Sequence, residues 1–150
     1  MDANISIECK HASLHFIKSY ITPIRQNIKN TAQDAKHINI YDLTTIARAI
    51  LAHIKQIIDK LTIEYENTEK ILNIKRRKEL IDIVNYQYAS LDHTINEYYD
   101  LINSIGLNYY LVRELQLDIH KRTNVITYAK NSAECSLWWN GDNANQLSMQ

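Results

Sequence analysis

An all-α fold, an antiparallel bundle of four main helices, is predicted by three observations. Gly and Pro are scarce, 2 and 1 in 150 residues, whereas all-β domains use both at their many tight turns. Apolar side chains return every third or fourth position through most of the chain, the spacing of one helix face. No apolar run approaches the roughly 20 residues of a membrane span, so the apolar faces must bury against one another.

The first helix covers about residues 4–30. Ile5, Cys9, Ala12, Phe16, Tyr20, Ile24 and Ile28 mark its inner face. Pro23 kinks it: Thr22 fits an N-cap, and Pro23 fits the first position of a renewed helix. Ile7 and Leu14 lie off the stripe, and such a wide apolar arc suits a central helix or one covered by a partner. Residues 30–41 read as a polar connection. Asp42 then reads as the N-cap of a second helix over about 42–66, where Leu43, Ala47, Ile50, Ile54, Ile57, Leu61 and Tyr65 give the most regular stripe in the chain.

The third helix spans about 68–105, opening on Thr68 as its cap and ending at Gly106. At roughly 55 Å it is long for a bundle, which favours a bend near Asn85 or Ser90. The fourth covers about 108–131, capped by Asn108, with Leu111, Leu115, Ile119, Ile126 and Ala129 along one face. Residues 1–131 thus form one helical domain. Residues 132–150 read as a polar, partly disordered tail that Leu137, Trp138 and Trp139 can dock.

Charge and cysteine usage narrow the function classes. The 17 basic and 17 acidic residues cancel, so net charge gives no pull toward nucleic acid or an anionic membrane. The basic run Lys75-Arg76-Arg77-Lys78 points all round its helix and reads as a solvated helix start. Cys9 and Cys135 are too few for a disulfide framework. The first residues carry neither a basic n-region nor an apolar h-region. A reduced, cytoplasmic protein is expected, with no membrane span and no cofactor. The enrichment in Ile, Asn, Lys and Tyr, against three Val residues, points to an AT-rich bacterial or phage genome.

Three constellations carry candidate chemistry. Tyr98, Tyr99, Tyr109 and Tyr110 flank the Gly106 turn. Tyrosine is amphipathic and enriched at interfaces, and adjacent tyrosines on a helix cannot both face the core. They are the candidate binding residues, for a protein partner or for self-association. His11 and His15 lie one turn apart, one turn after Glu8, and two imidazoles plus a carboxylate can hold a metal ion. No second such motif exists to complete a di-metal bundle site. Arg113 and His120 are seven residues apart, so they share one stripe to within roughly 20°, on the outer side of the fourth helix with Tyr110, Leu117 and Tyr128.

An Arg followed after a short spacing by a His resembles the motif of HEPN ribonucleases and toxins, small all-α proteins that dimerise around a shared cleft. The resemblance implies that Arg113 holds a phosphate and that His120 does acid–base work at an RNA 2′-hydroxyl, without metal. Position 114 is Glu, where that family carries a small polar residue. A second pair, Arg48 and His53, points roughly 140° apart on the second helix. No Gly-rich phosphate loop, Cys-x-x-Cys or nucleophile elbow occurs. The expected function is therefore a non-catalytic helical accessory protein of the immunity-protein, antitoxin or chaperone kind. The alternative is a HEPN-like ribonuclease using Arg113 and His120.

Overall fold

The structure is a computed structural model that describes residues 7–107 and 109–149, with side chains described over 10–107 and 112–138. Helices α1 (Ile7–Phe16) and α2 (Thr22–Asp34) are joined without a break by a π-helical turn over Ile17–Ile21. Three longer helices follow: α3 (Ile40–Thr68), α4 (Ile74–Ser104) and α5 (Tyr109–Met149). No strand occurs among the described residues. The all-α class and the four-helix organisation stand, with α1, the π-turn and α2 forming one kinked arm.

The kink follows from Pro23. Its ring would crowd the carbonyl four residues back, and it has no N–H to bond there. The backbone answers by widening one turn: the Thr22 N–H reaches the Ile17 carbonyl, an i→i−5 bond, as single π-turns inside helices do. Phe16, Ile21 and Ile24 are buried along this stretch, and the arm continues to Asp34, further than residue 30.

Helix α3 is capped by Asn39, not by Asp42. The Asn39 side chain accepts from the Asp42 backbone N–H at 2.9 Å and donates its own amide to the Asp42 carboxylate, a reciprocal clasp akin to a capping box. Leu43, Ala47, Ile50, Leu51, Ile54, Ile57, Ile58, Leu61 and Tyr65 are all buried. The helix runs on to Thr68, whose hydroxyl donates back to the Tyr65 carbonyl at 2.6 Å. Thr68 therefore closes α3; it does not cap the next helix. The cap of α4 is Asn73, accepting from the Arg76 N–H at 3.0 Å.

Helix α4 is one continuous α-helix of 31 residues. It ends on Gly106 with φ +70°. The Leu107 N–H bonds the Ile102 carbonyl, and the Gly106 N–H bonds that of Asn103. This is a Schellman termination, in which the residue past the helix must be left-handed and glycine avoids the Cβ clash. The proposed cap Asn108 lies outside the described residues.

Helix α5 does not stop at Asn131. It continues to Met149, so the segment read as a polar, partly disordered tail is helical through 149. Ala133 is buried and Leu137 packs against the core, extending the inner stripe of Ile119, Ile126 and Ala129 by two more turns. Ser136 also accepts a hydrogen bond from Arg77 at 2.9 Å. A stripe with those anchors overrides a polar average composition.

Cross-helix pairs set the directions. Lys55–Asp118, Asp59–Arg122 and Glu69–Ser132 join α3 to α5 at one constant sequence offset of 63, so these two helices run parallel. Arg77–Ser136 and Tyr88–Thr127 join α4 to α5 with opposite progression, so that pair is antiparallel. Tyr65 meets Asn85 across the short α3–α4 turn, hydroxyl to amide oxygen at 2.6 Å. Arg25 of α2 pairs with Glu97 of α4 at 2.7 Å, and Lys60 of α3 lies over the Tyr20 ring. The chain thus goes up and down, with α5 on one side of the α3–α4 pair and the kinked arm on the other. No helix among the described residues is long and apolar enough to cross a membrane.

Candidate functional site

The Gly106 end of the bundle does not present four tyrosines to a partner. Tyr98 is 1% exposed, a core side chain on the inner stripe, so as a binding residue it is corrected: it has no surface to offer a partner. Tyr99 is half-buried and packs against the core edge. Burial raises the phenol pKa of both, most strongly for Tyr98. The side chains of Tyr109 and Tyr110 lie outside the described residues.

His11 and His15 are exposed on α1, and the Glu8 side chain lies outside the described residues. Among the described residues no group of three His, Cys, Asp or Glu side chains is placed to hold a metal ion.

Arg113 and His120 are both exposed on α5. Seven residues of helix separate them by roughly 10 Å along the axis. Arg48 and His53 are exposed on α3.

The outer face of α5 carries more than that pair. Leu117, Val125, Tyr128 and Trp138 are exposed, Tyr128 by 77%, and they fall within an arc of roughly 140°. Physical packing dictates this face. Val112, Ile119, Ile126, Ala129 and Ala133 turn inward, and Asp118 and Arg122 form ion pairs with Lys55 and Asp59 of α3 along one edge. What is left points outward, and it alternates apolar and polar: Arg113, Leu117, His120, Lys121, Tyr128.

At the other end of the bundle, Leu72 and Ile74 are exposed around the α3–α4 turn, Leu72 by 90%. Constant α3–α5 register brings Trp138 to the same end. Sequence reasoning missed this apolar end, because Ile71 and Ile74 fit the apolar rhythm of a third helix read as opening at Thr68, whereas that helix starts at Ile74.

It also missed Arg77. Lys75 and Lys78 are exposed, but Arg77 is 4% exposed. Its Nε donates to the Ile71 carbonyl at 2.8 Å and its Nη1 to Ser136. The guanidinium fork ties the turn to α5 and is not part of a solvated basic run. No family model, no curated protein and no solved structure matches this chain.

Proposed function

We propose that the protein is a non-catalytic helical accessory protein that works by binding another protein, in the manner of an immunity protein, antitoxin or chaperone of bacterial or phage origin. The observation that carries this reading is the outer face of α5, where Leu117, Val125 and Tyr128 leave apolar surface in water within one arc. These apolar side chains are interspersed with the exposed His120, Lys121 and Asn124, and a face that mixes exposed apolar and polar groups suits a protein interface. Aromatic residues on such a face contribute most to affinity. Neutral net charge fits a protein partner better than a nucleic acid.

The test is a Leu117→Ser, Tyr128→Ser double variant. Both side chains are exposed, so thermal stability is expected to stay within about 1 kcal/mol of the wild type. A protein captured reproducibly by the tagged wild type in its host should be lost from the variant. Identical capture by both proteins argues against α5 as the binding face.

The second reading is a HEPN-like ribonuclease. It is favoured by the outward placement of Arg113 and His120 on one flank of α5, the placement a cleft between two copies requires. It predicts RNA cleavage that persists in EDTA and disappears in His120→Ala. Absence of cleavage by the wild type removes it.

A further inference from the structure

The outward seam of α5 has the same character read from either end. Glu114, Leu117, Lys121, Asn124, Tyr128 and Asn131 are all exposed, and they follow one another at intervals of three, four, three, four and three residues. That alternation is the 3.5-residue repeat of a coiled-coil seam, which stays on one side of a helix when two helices wind left-handedly about each other. The intervals are symmetric about the point midway between Arg122 and Thr123. The chemistry is symmetric too: polar, apolar, polar on one side of that point, and polar, apolar, polar on the other.

A two-fold interface joins the same patch on both copies, so the patch must complement itself. Laid antiparallel about that midpoint, Leu117 meets the partner's Tyr128, Lys121 the partner's Asn124 and Glu114 the partner's Asn131, each contact occurring twice. Leu117 and Tyr128 are 46% and 77% exposed, so the pairing removes apolar surface from water. The Lys121 ammonium can donate to the Asn124 amide oxygen, and the Asn131 amide can donate to the Glu114 carboxylate. A parallel pair would set Glu114 against Glu114 and Lys121 against Lys121, and like charges so placed repel. The chain itself does not use these two charges: the ion pairs of α5 among the described residues engage Asp118, Arg122, Lys130 and Glu134.

We infer that a second copy of this chain docks antiparallel along the seam, with Leu117 against the partner's Tyr128 on both sides of a two-fold axis. The inference rests on the reading of the outer face of α5 as a protein-binding surface, and it names the occupant. A single helix face is a small interface, and small interfaces belong to weak, reversible complexes.

Sedimentation equilibrium of the full chain from about 1 µM to 1 mM covers that range of affinity and should show a monomer–dimer equilibrium. Leu117→Asp and Tyr128→Lys, each alone, should weaken the dimer at least tenfold; both positions are exposed, so the fold should survive. Mixed in equal amounts the two variants should dimerise again, because their opposite charges then face each other on one side of the axis while the original pair remains on the other. Spin labels placed singly, in a chain with Cys9 and Cys135 replaced by Ser, read the direction. Position 124 lies about 5 Å along the axis from its counterpart, and positions 114 and 131 each lie about 26 Å from theirs. A short distance at 124 and two longer, equal distances at 114 and 131 are expected. A wild type that stays monomeric throughout, single variants that dimerise as the wild type does, no recovery on mixing, or equally short distances at all three positions overturns the inference. A monomeric wild type whose host partner is still lost from the Leu117→Ser, Tyr128→Ser variant overturns it while leaving the proposed function standing.

Discussion

Removing the Arg77 side chain should loosen the end of the bundle where α3, α4 and α5 meet. Arg77 is 4% exposed and its guanidinium makes two hydrogen bonds, to the Ile71 carbonyl at 2.8 Å and the Ser136 hydroxyl at 2.9 Å. Hydrogen bonds from charged donors are worth roughly 1.5–3 kcal/mol each. Two of them set an upper figure near 6 kcal/mol on the same scale, before the packing of the aliphatic stem is added.

Against this stands the desolvation of a buried cation, which amounts to several kcal/mol and is relieved when the charge is removed. Ile71 is only half-buried, so water can replace the lost donor at its carbonyl. The balance for Arg77→Ala is a loss of about 2 kcal/mol, from the lower end of the hydrogen-bond range. In a chain of this size that lowers the melting temperature by about 4–8 °C.

Arg77→Lys keeps a charge but not the fork, and should lose about half as much. Urea unfolding followed by circular dichroism at 222 nm reads both. An Arg77→Ala protein as stable as the wild type would refute the claim that this side chain fastens the turn to α5.

Gly106→Ala should cost about 1–2 kcal/mol from left-handed backbone strain alone, because φ is +70° and a Cβ there would meet nothing within 4 Å. Gly106→Asn should cost less, since Asn tolerates that conformation, and thermal melts of the two variants would rank them. Alkaline pH should destabilise the fold. Burial raises the phenol pKa of Tyr65, Tyr88, Tyr98 and Tyr99 above the ordinary value of 10.0. The folded state therefore favours the neutral phenols, and the stability this confers is complete below pH 10 and falls as pH climbs above it. Absorbance at 295 nm should show these four rings ionising above the ordinary phenol value; their ionisation at that value in the folded protein would contradict it.

The helix faces were legible in the sequence because periodicity is a property of the chain itself. The α3 stripe from Leu43 to Tyr65 is buried as its spacing requires. Boundaries were less legible where the punctuation is weak. The α3–α4 turn holds no Gly or Pro, and Ile71 and Ile74 keep the rhythm across it, so one cap was assigned to Thr68 in place of Asn73. The end of α5 was misread because a polar composition hid Ala133 and Leu137, which fall on the inner stripe.

The candidate site was less legible still. Adjacent tyrosines 98 and 99 had to face differently, and the rhythm Leu91, Ile95, Tyr98, Ile102 already puts Tyr98 on the inner stripe, where it is buried; its place beside the Gly106 turn is what made it a binding candidate. Arg77 and Gln87 did carry a signal. Each is a polar residue at an inward position of α4, Arg77 between Ile74 and Ile81 and Gln87 between Val84 and Leu91. Arg77 stands among Lys75, Arg76 and Lys78, a run that reads as surface charge, whereas Gln87 stands in no such run.

Which residues of α5 face water depends on how it lies against α3. Spin-label distances at positions 59/122 and 69/132, in a protein with Cys9 and Cys135 replaced by Ser, measure that directly. The replaced ion pair between Asp59 and Arg122 is exposed and contributes at most about 1 kcal/mol. Parallel packing at the observed offset of 63 predicts two equally short distances. An antiparallel pair that kept 59 beside 122 would put 69 opposite 112, and the 69/132 distance would be longer by roughly 30 Å. That result would contradict the arrangement and remove the outer face of α5 as a candidate surface.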